Sequence, residues 1–363
     1  MPDEASRDKI ELKVAGRVHS GWTEAEVSIG IDSLAGSFDL SLSDSWPADG
    51  NQGADIETRI VEAGSEASIL VGGEQLITGY IDQVIPTLSA EQHDIRIAGR
   101  SKAADLLDCS AIHKPGSWSN RRFEDIAADL ARPFGIAVTA EVSTGEPFKT
   151  FALQPGETVF QAIERMGKMR GLLAVSRADG SIAIIRPQIS GSAIRLQQGR
   201  DFLSITARHD VSERFSEYLV KGQARGDDAH NGKAVAHPKG TANDIGVKRY
   251  RPLLVVAEDQ ASAATAKERA EWEAKVRAAK SQGCEVTMQG WRTPAGNLWL
   301  PGATVDLIAP AALITAKLVI VQVTYRIDPN AGSTAMLSLA YPEAYAAIPG
   351  EEADAARMKK KAA

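Results

Sequence analysis

Cysteine is nearly absent: Cys109 and Cys284 are the whole complement of the 363-residue chain. Two thiols without a CxxC spacing exclude a disulfide framework, and reduced thiols are the expectation. Long apolar runs are lacking as well. The most apolar region, 311–323, is broken by Lys317 and flanked by Asp306 and Arg326, so it reads as a buried strand and not as a bilayer span. The opening MPDEASRDKIELKV has no apolar segment after a basic start, so no signal peptide is expected. A basic excess is missing too. The net charge of −6 argues against a nucleic-acid binder. There is no Walker A loop, dinucleotide fingerprint, HExxH or EF-hand loop, which removes the best-defined signatures of phosphate, cofactor and metal chemistry.

What is present is an ordinary globular composition, 44% hydrophobic and 24% charged, long enough for two or three domains. Charge is unevenly spread. Residues 1–100 hold 7 Lys+Arg against 18 Asp+Glu, a net of −11, whereas 101–188 carry +1 and 189–363 carry +4.

The stretch from Asp94 to Ile136 is the junction around which the rest is organised. Ile95 and Ile97 alternate with polar or small neighbours as in a strand, and the pattern breaks at Gly99. Ala104, Leu106 and Leu107 suit a short helix. Asn120 reads as the N-cap of a second, whose stripe is Phe123, Ile126, Ala127, Leu130 and Phe134. Before the junction, strands are expected at 10–14, 25–31, 37–42, 68–71, 76–84 and 95–98, separated by Gly, Asp and Ser clusters. After it come a strand at 136–140, a helix following Pro155-Gly156, and a hairpin turning through Ala178-Asp179-Gly180. Strands resume from Ile194. A helix is expected over 258–282, about 36 Å long, opening at Glu258-Asp259 and closing near Arg277 and Lys280. The fold expected is therefore α+β and β-dominated. Its domains are a β-barrel-like domain at 1–100, an α+β domain at 101–188, a second β-barrel-like domain at 189–349 and a disordered tail at 350–363. No repeat with a period of 20–50 residues is evident.

Four places could carry chemistry. The loop 224–240 contains Asp227, Asp228, His230 and His237, but their spacing fits no zinc pattern, and a solvated hairpin tip is the better reading. Cys109 and His113 could pair as nucleophile and base. They lie where a helix gives way to a loop with no third member, so Cys109 reads as a small buried residue. Forty-seven acidic residues always offer a carboxylate pair, yet no Glu sits in an apolar setting that would raise its pKa. Trp291, Trp299 and Tyr325 could stack on sugars, although a shielded barrel mouth explains them better. No catalytic, cofactor-binding or metal residue is therefore expected.

The segments GRSKAADLLDCSA (99–111), SWSNRRFEDIAADLARPFGI (117–136) and FALQPGETVFQAIERMGKMRGLL (151–173) resemble the tail protein P family of Mu-like bacteriophages, in order along residues 10–341. The resemblance implies a non-enzymatic baseplate hub of a contractile tail, located in the virion. It implies a homotrimer whose two similar β-domains per chain adapt the six-fold tail tube to the three-fold spike. The implied partners are the tube-end protein and the central spike protein, with DNA passing through a channel unbound and no direct membrane insertion. The rival from another class is a tail-associated glycan hydrolase or sugar-binding module.

Overall fold

The computed structural model describes residues 9–44, 61–89, 93–186, 193–223, 239–260 and 263–346. Strand outweighs helix, 48% against 19%, so the chain is a β-dominated α+β protein. The first segment folds into β1 (Ile10–Val14), β2 (Arg17–His19), β3 (Glu24–Gly30), β4 (Ser37–Asp44), β5 (Glu66–Val71), β6 (Glu74–Leu88) and β7 (His93–Ser101). Period-two patterning decides their faces. In β1, Ile10, Leu12 and Val14 are buried while Glu11 and Lys13 point outward.

The middle segment contains α1 (Ala104–Asp108), β8 (Ser117–Arg121), α2 (Phe123–Ala131), β9 (Val138–Ala140), β10 (Phe148–Ala152), α3 (Val159–Arg170), β11 (Leu173–Ser176) and β12 (Ile182–Ile185). Its core joins Phe123, Ile126 and Leu130 of α2 to Ile163 and Met166 of α3 and to Ile182 and Ile184 of β12. Helix α3 opens with a capping box: Thr158 Oγ1 accepts from the Gln161 N–H, and the Gln161 side chain accepts from the Thr158 N–H. It closes on Gly171, at φ 59° in the left-handed region. Asn120 is not a cap. It lies in β8 at φ 52°, and Arg122 precedes the first helical residue. Pairing of Ser117, Trp118, Ser119 and Arg121 with β10 holds this segment in a strand, which defers the helix to Phe123.

The last segment comprises β13 (Ile194–Gln197), β14 (Ser204–His209), β15 (Glu217–Gln223), β16 (Lys239–Asn243), β17 (Pro252–Gln260), α4 (Ala263–Lys280), β18 (Gln282–Gln289), β19 (Thr304–Ala309), β20 (Ile314–Asp328) and β21 (Gly332–Ala340). The helix expected from Glu258 begins later. Glu258 and Asp259 continue β17, whose pairing with β15 runs out to Gln223↔Gln260, and α4 spans about 27 Å over its 18 residues.

The described residues form four sheets, of which β8–β10 and β11-β12-β9 belong to the middle segment. A 13-stranded sheet runs β14-β18-β21-β20-β3-β4-β7-β6-β5-β1-β2, with β19 on β20 and β13 on β19. It joins the first and last segments through the antiparallel pair β3–β20, and a single hydrophobic core runs beneath both. Separately, β16-β15-β17 form a three-stranded sheet that packs Tyr218 and Val220 against Ala266 and Ala270 of α4. Residues 350–363 and the Asp227–His237 loop lie outside the described residues.

Candidate functional site

Among the described residues, those singled out for chemistry do not converge. Asp227, Asp228, His230 and His237 lie outside the described residues. Among the described residues no group of three or more His, Cys, Asp or Glu side chains could hold a metal ion. Cys109 is exposed at the end of α1, where its peptide carbonyl accepts from the Val159 N–H; the expectation of a buried thiol fails because the helix ends there. His113 stacks on the Trp118 indole at 4.6 Å, and among the described residues no hydrogen bond joins it to Cys109. Cys284 is buried, and burial pushes its thiol up to about 12.

Trp291, Trp299 and Tyr325 have no outward face. All three are at most 1% exposed. The Trp291 indole donates to the Thr334 and Arg326 carbonyls at 3.0 and 3.3 Å and meets the Tyr325 ring edge-on at 6.1 Å. The Tyr325 hydroxyl donates to the Trp299 carbonyl, and burial raises its pKa. These rings hold a core together and present nothing to a glycan.

Buried carboxylates are matched by arginine. Glu157 meets Arg165 at 2.9 Å, Glu273 lies between Arg269 and Arg277 at 3.0 Å each, and Asp244 takes Arg214 in a two-pronged contact at 2.7 and 2.8 Å. At Asp244 the hydrogen bonds from Arg214 hold the carboxyl below its ordinary pKa, the opposite of what a proton donor requires. A cavity of about 20 Å³ beside Ser101, lined by Ile29, Leu34 and Ile77, has the volume of one water.

What the structure does assemble is a junction between β-modules. In β3–β20, Ala25 faces Ile327, Val27 faces Tyr325 and Gly30 faces Gln322. Arg326 reaches Glu26 at 2.9 Å, and the Gln322 amide donates to Ser28 Oγ at 2.6 Å. Arg292 adds a clamp, bonding Glu74 at 3.0 Å and the Gly72 carbonyl at 2.9 Å. The α+β segment seats Val175 and Ala183 on Ile31, Val319 and Val321, so it packs against both modules.

The modules repeat one another. Strands β1, β3, β4, β5, β6 and β7 lie in the sheet as β3-β4-β7-β6-β5-β1; β13, β14, β18, β19, β20 and β21, in the same chain order, lie as β14-β18-β21-β20-β19-β13. One orientation departs: β13 runs parallel to β19, whereas β1 is antiparallel to β5.

Residues 9–101 match the family model for the Mu phage baseplate assembly protein GpP-like N-terminal domain, and 103–186 that for the second domain of gp44-like baseplate hub proteins. Residues 214–272 match the third domain of NMB1110-like tail proteins, and 262–347 the fourth domain of GpP. The baseplate hub protein gp44 of Escherichia phage Mu is 36% identical over 345 residues, covering 93% of this chain and 88% of that protein. The chain belongs to the Mu-type baseplate hub family. Its place is the baseplate of the virion tail. Among solved structures, the 43 kDa tail protein of prophage MuSo2 from Shewanella oneidensis superposes with a TM-score of 0.83 at 30% identity, over 94% of this hub chain and 100% of that one. The tail protein of Neisseria meningitidis MC58 shares the fold, with a TM-score of 0.77 at 21% identity over 93% and 98%. A component of the Escherichia coli type VI secretion system shares it more distantly, at 0.55 and 11% over 93% and 79%.

Residue patterning did not show the duplication, which only the family resemblance implied, and it missed the separate β15–β17 sheet. The signal for the first was present: Ile81-Asp82-Gln83-Val84 and Ile320-Val321-Gln322-Val323 sit at the same bulge of the two longest strands. Their separation is far longer than the roughly 20–50-residue period of a repeat array.

Proposed function

We propose that three copies of this chain form a ring at the centre of the baseplate. Six similar β-modules would face the six-fold tail tube, while the three-fold remainder meets the central spike, leaving a channel through which DNA passes unbound. The observation that carries this reading is the repeated module: two copies per chain, in one sheet, are what a trimer needs to meet a six-fold partner. The acidic first segment supports the channel, since like charge denies phosphates any counterion-release gain. The division at 1–100, 101–188 and 189–349 belongs to the same proposal, with β15–β17 and α4 set apart within the last part. The ring works without catalysis. Native mass measurement and negative-stain microscopy of the purified chain test this: a ring of three chains is expected. Monomers at micromolar concentration in low salt, or cell-wall cleavage lost on changing a single Glu or Asp, would contradict it.

A further inference from the structure

The repeat extends to individual hydrogen bonds. In the first module the Ile81 N–H donates to the Ser65 carbonyl at 3.0 Å and the Gly64 N–H to the Ile81 carbonyl at 2.7 Å. In the second, the Ile320 N–H donates to the Ala303 carbonyl at 2.9 Å and the Gly302 N–H to the Ile320 carbonyl at 2.7 Å. A bulge follows at once in both strands, between Ile81 and Gln83 and between Ile320 and Gln322. Gln83–Leu88 therefore corresponds to Gln322–Ile327. Tracing the ladders across β4 and β18 makes β14 the counterpart of β3, with Ile205 in place of Ala25 and Thr206 in place of Glu26.

The counterparts differ in what covers them. The later half of β20 pairs with β3, and there Val27 and Tyr325 are fully buried. The later half of β6 has β7 on one side and, among the described residues, no strand on the other; β14 is likewise the last strand of its end of the sheet. Apolar side chains lie open beside both edges: Ile85 is 43% exposed, Leu203 58% and Val211 48%, whereas Ile31, the counterpart of Val211, is 6% exposed. An uncovered apolar edge is a pairing template.

We propose that β14 of one copy adds to the later half of β6 in the next copy, antiparallel and in the register that β3 and β20 hold within one chain. This rests on the three-copy reading and gives it a specific contact. The pairs across the new junction are Leu88↔Ile205, Thr87↔Thr206, Ile85↔Arg208 and Val84↔His209. Gln83 occupies the place of Gln322, and its amide oxygen accepts from Arg208, which stands where Ser28 does. Pro86 brings no N–H, so this ladder has one bond fewer than its internal counterpart; on an open edge the same proline discourages unrelated strands. Each chain then holds one internal junction and gives β14 to one neighbour and the later half of β6 to the other, so that three copies close a ring.

The test is a cysteine pair in a Cys109→Ser background. Facing residues in an antiparallel ladder lie about 4.5–5.5 Å apart at Cα, within disulfide range. Thr87 and Thr206 are both exposed, so T87C/T206C leaves the fold intact. Oxidation is expected to give a three-chain species on denaturing gels, reversed by reductant, with no cross-link from either single variant or from T87C/A207C, whose second cysteine faces the other side. A second measurement uses the unchanged chain: amides of 83–88 and 204–209 should exchange more slowly in the assembled protein than after dilution to monomer. A trimer by native mass with no T87C/T206C link and no such protection overturns the strand pairing while leaving the hub reading in place. Absence of any trimer overturns both.

Discussion

Asp244 shows how single side chains set the stability of this fold. Its carboxylate accepts Arg214 Nη2 and Nε and the Gly246 N–H at 2.7, 2.8 and 2.9 Å, and only 8% of the side chain is exposed. The hydrogen bonds from Arg214 hold the carboxyl below its ordinary pKa. A depressed acid stabilises the fold above the unfolded-state value, roughly 3.9, and loses that contribution as pH falls through the lower folded value. Asp244→Asn should therefore cost about 2–3 kcal/mol near pH 7, because Arg214 is left buried without its partner. The two proteins should converge in stability in strong acid. Urea unfolding followed across a pH series checks both the size and the sign, and a difference that persists unchanged into acid would refute the assignment.

At the scale of elements, the three-stranded sheet and α4 form a unit held by close backbone approach. A Cβ at Gly240 of β16 would overlap the backbone of Ala266 and Lys267 in α4, and neither can yield as a flexible side-chain end could. Gly240→Ala should cost about 3 kcal/mol. Hydrogen exchange should quicken in α4 and β15–β17 but stay slow in β20 and β21, which belong to another core. Uniform quickening would mean that the chain opens as one unit. This element also marks where sequence reading stops. The helix itself was legible from its composition and its basic end at Arg277 and Lys280, but its start was not. Glu258 and Asp259 look like an acidic first turn, yet the ladder from β15 continues through them, and tertiary pairing outweighs local charge. Asn120 failed as a cap for a related reason: β10, some thirty residues on in sequence, pairs with Ser119 and Arg121 on either side of it and holds the segment in β8.

For the whole molecule, alternation of apolar and polar residues was enough to place six of the first seven strands, because each of those has a buried face; β2, which has none, was not legible. It could not show that β3 crosses to β20, since that pairing joins residues at opposite ends of the chain. Nor could it show a module repeated at so long a separation. Charge was legible throughout, and it bears on assembly. Residues 1–100 carry −11 and residues 189–363 carry +4, so a ring that alternates the two modules sets opposite signs side by side, while like modules as neighbours would repel. Exposed pairs of this kind contribute only about 0–1 kcal/mol each, so buried apolar area must supply most of the affinity. Charge then acts mainly on encounter. Chains refolded from urea should assemble into trimers roughly tenfold more slowly at about 0.5 M than at about 0.05 M salt, as screening shortens the reach of the field. The final trimer fraction at micromolar concentration should change little. Light scattering after dilution measures both quantities in one experiment. A salt-independent rate would remove electrostatic steering from the account, whereas a trimer that dissociates in high salt would show that charge, and not apolar strand edges, holds the ring.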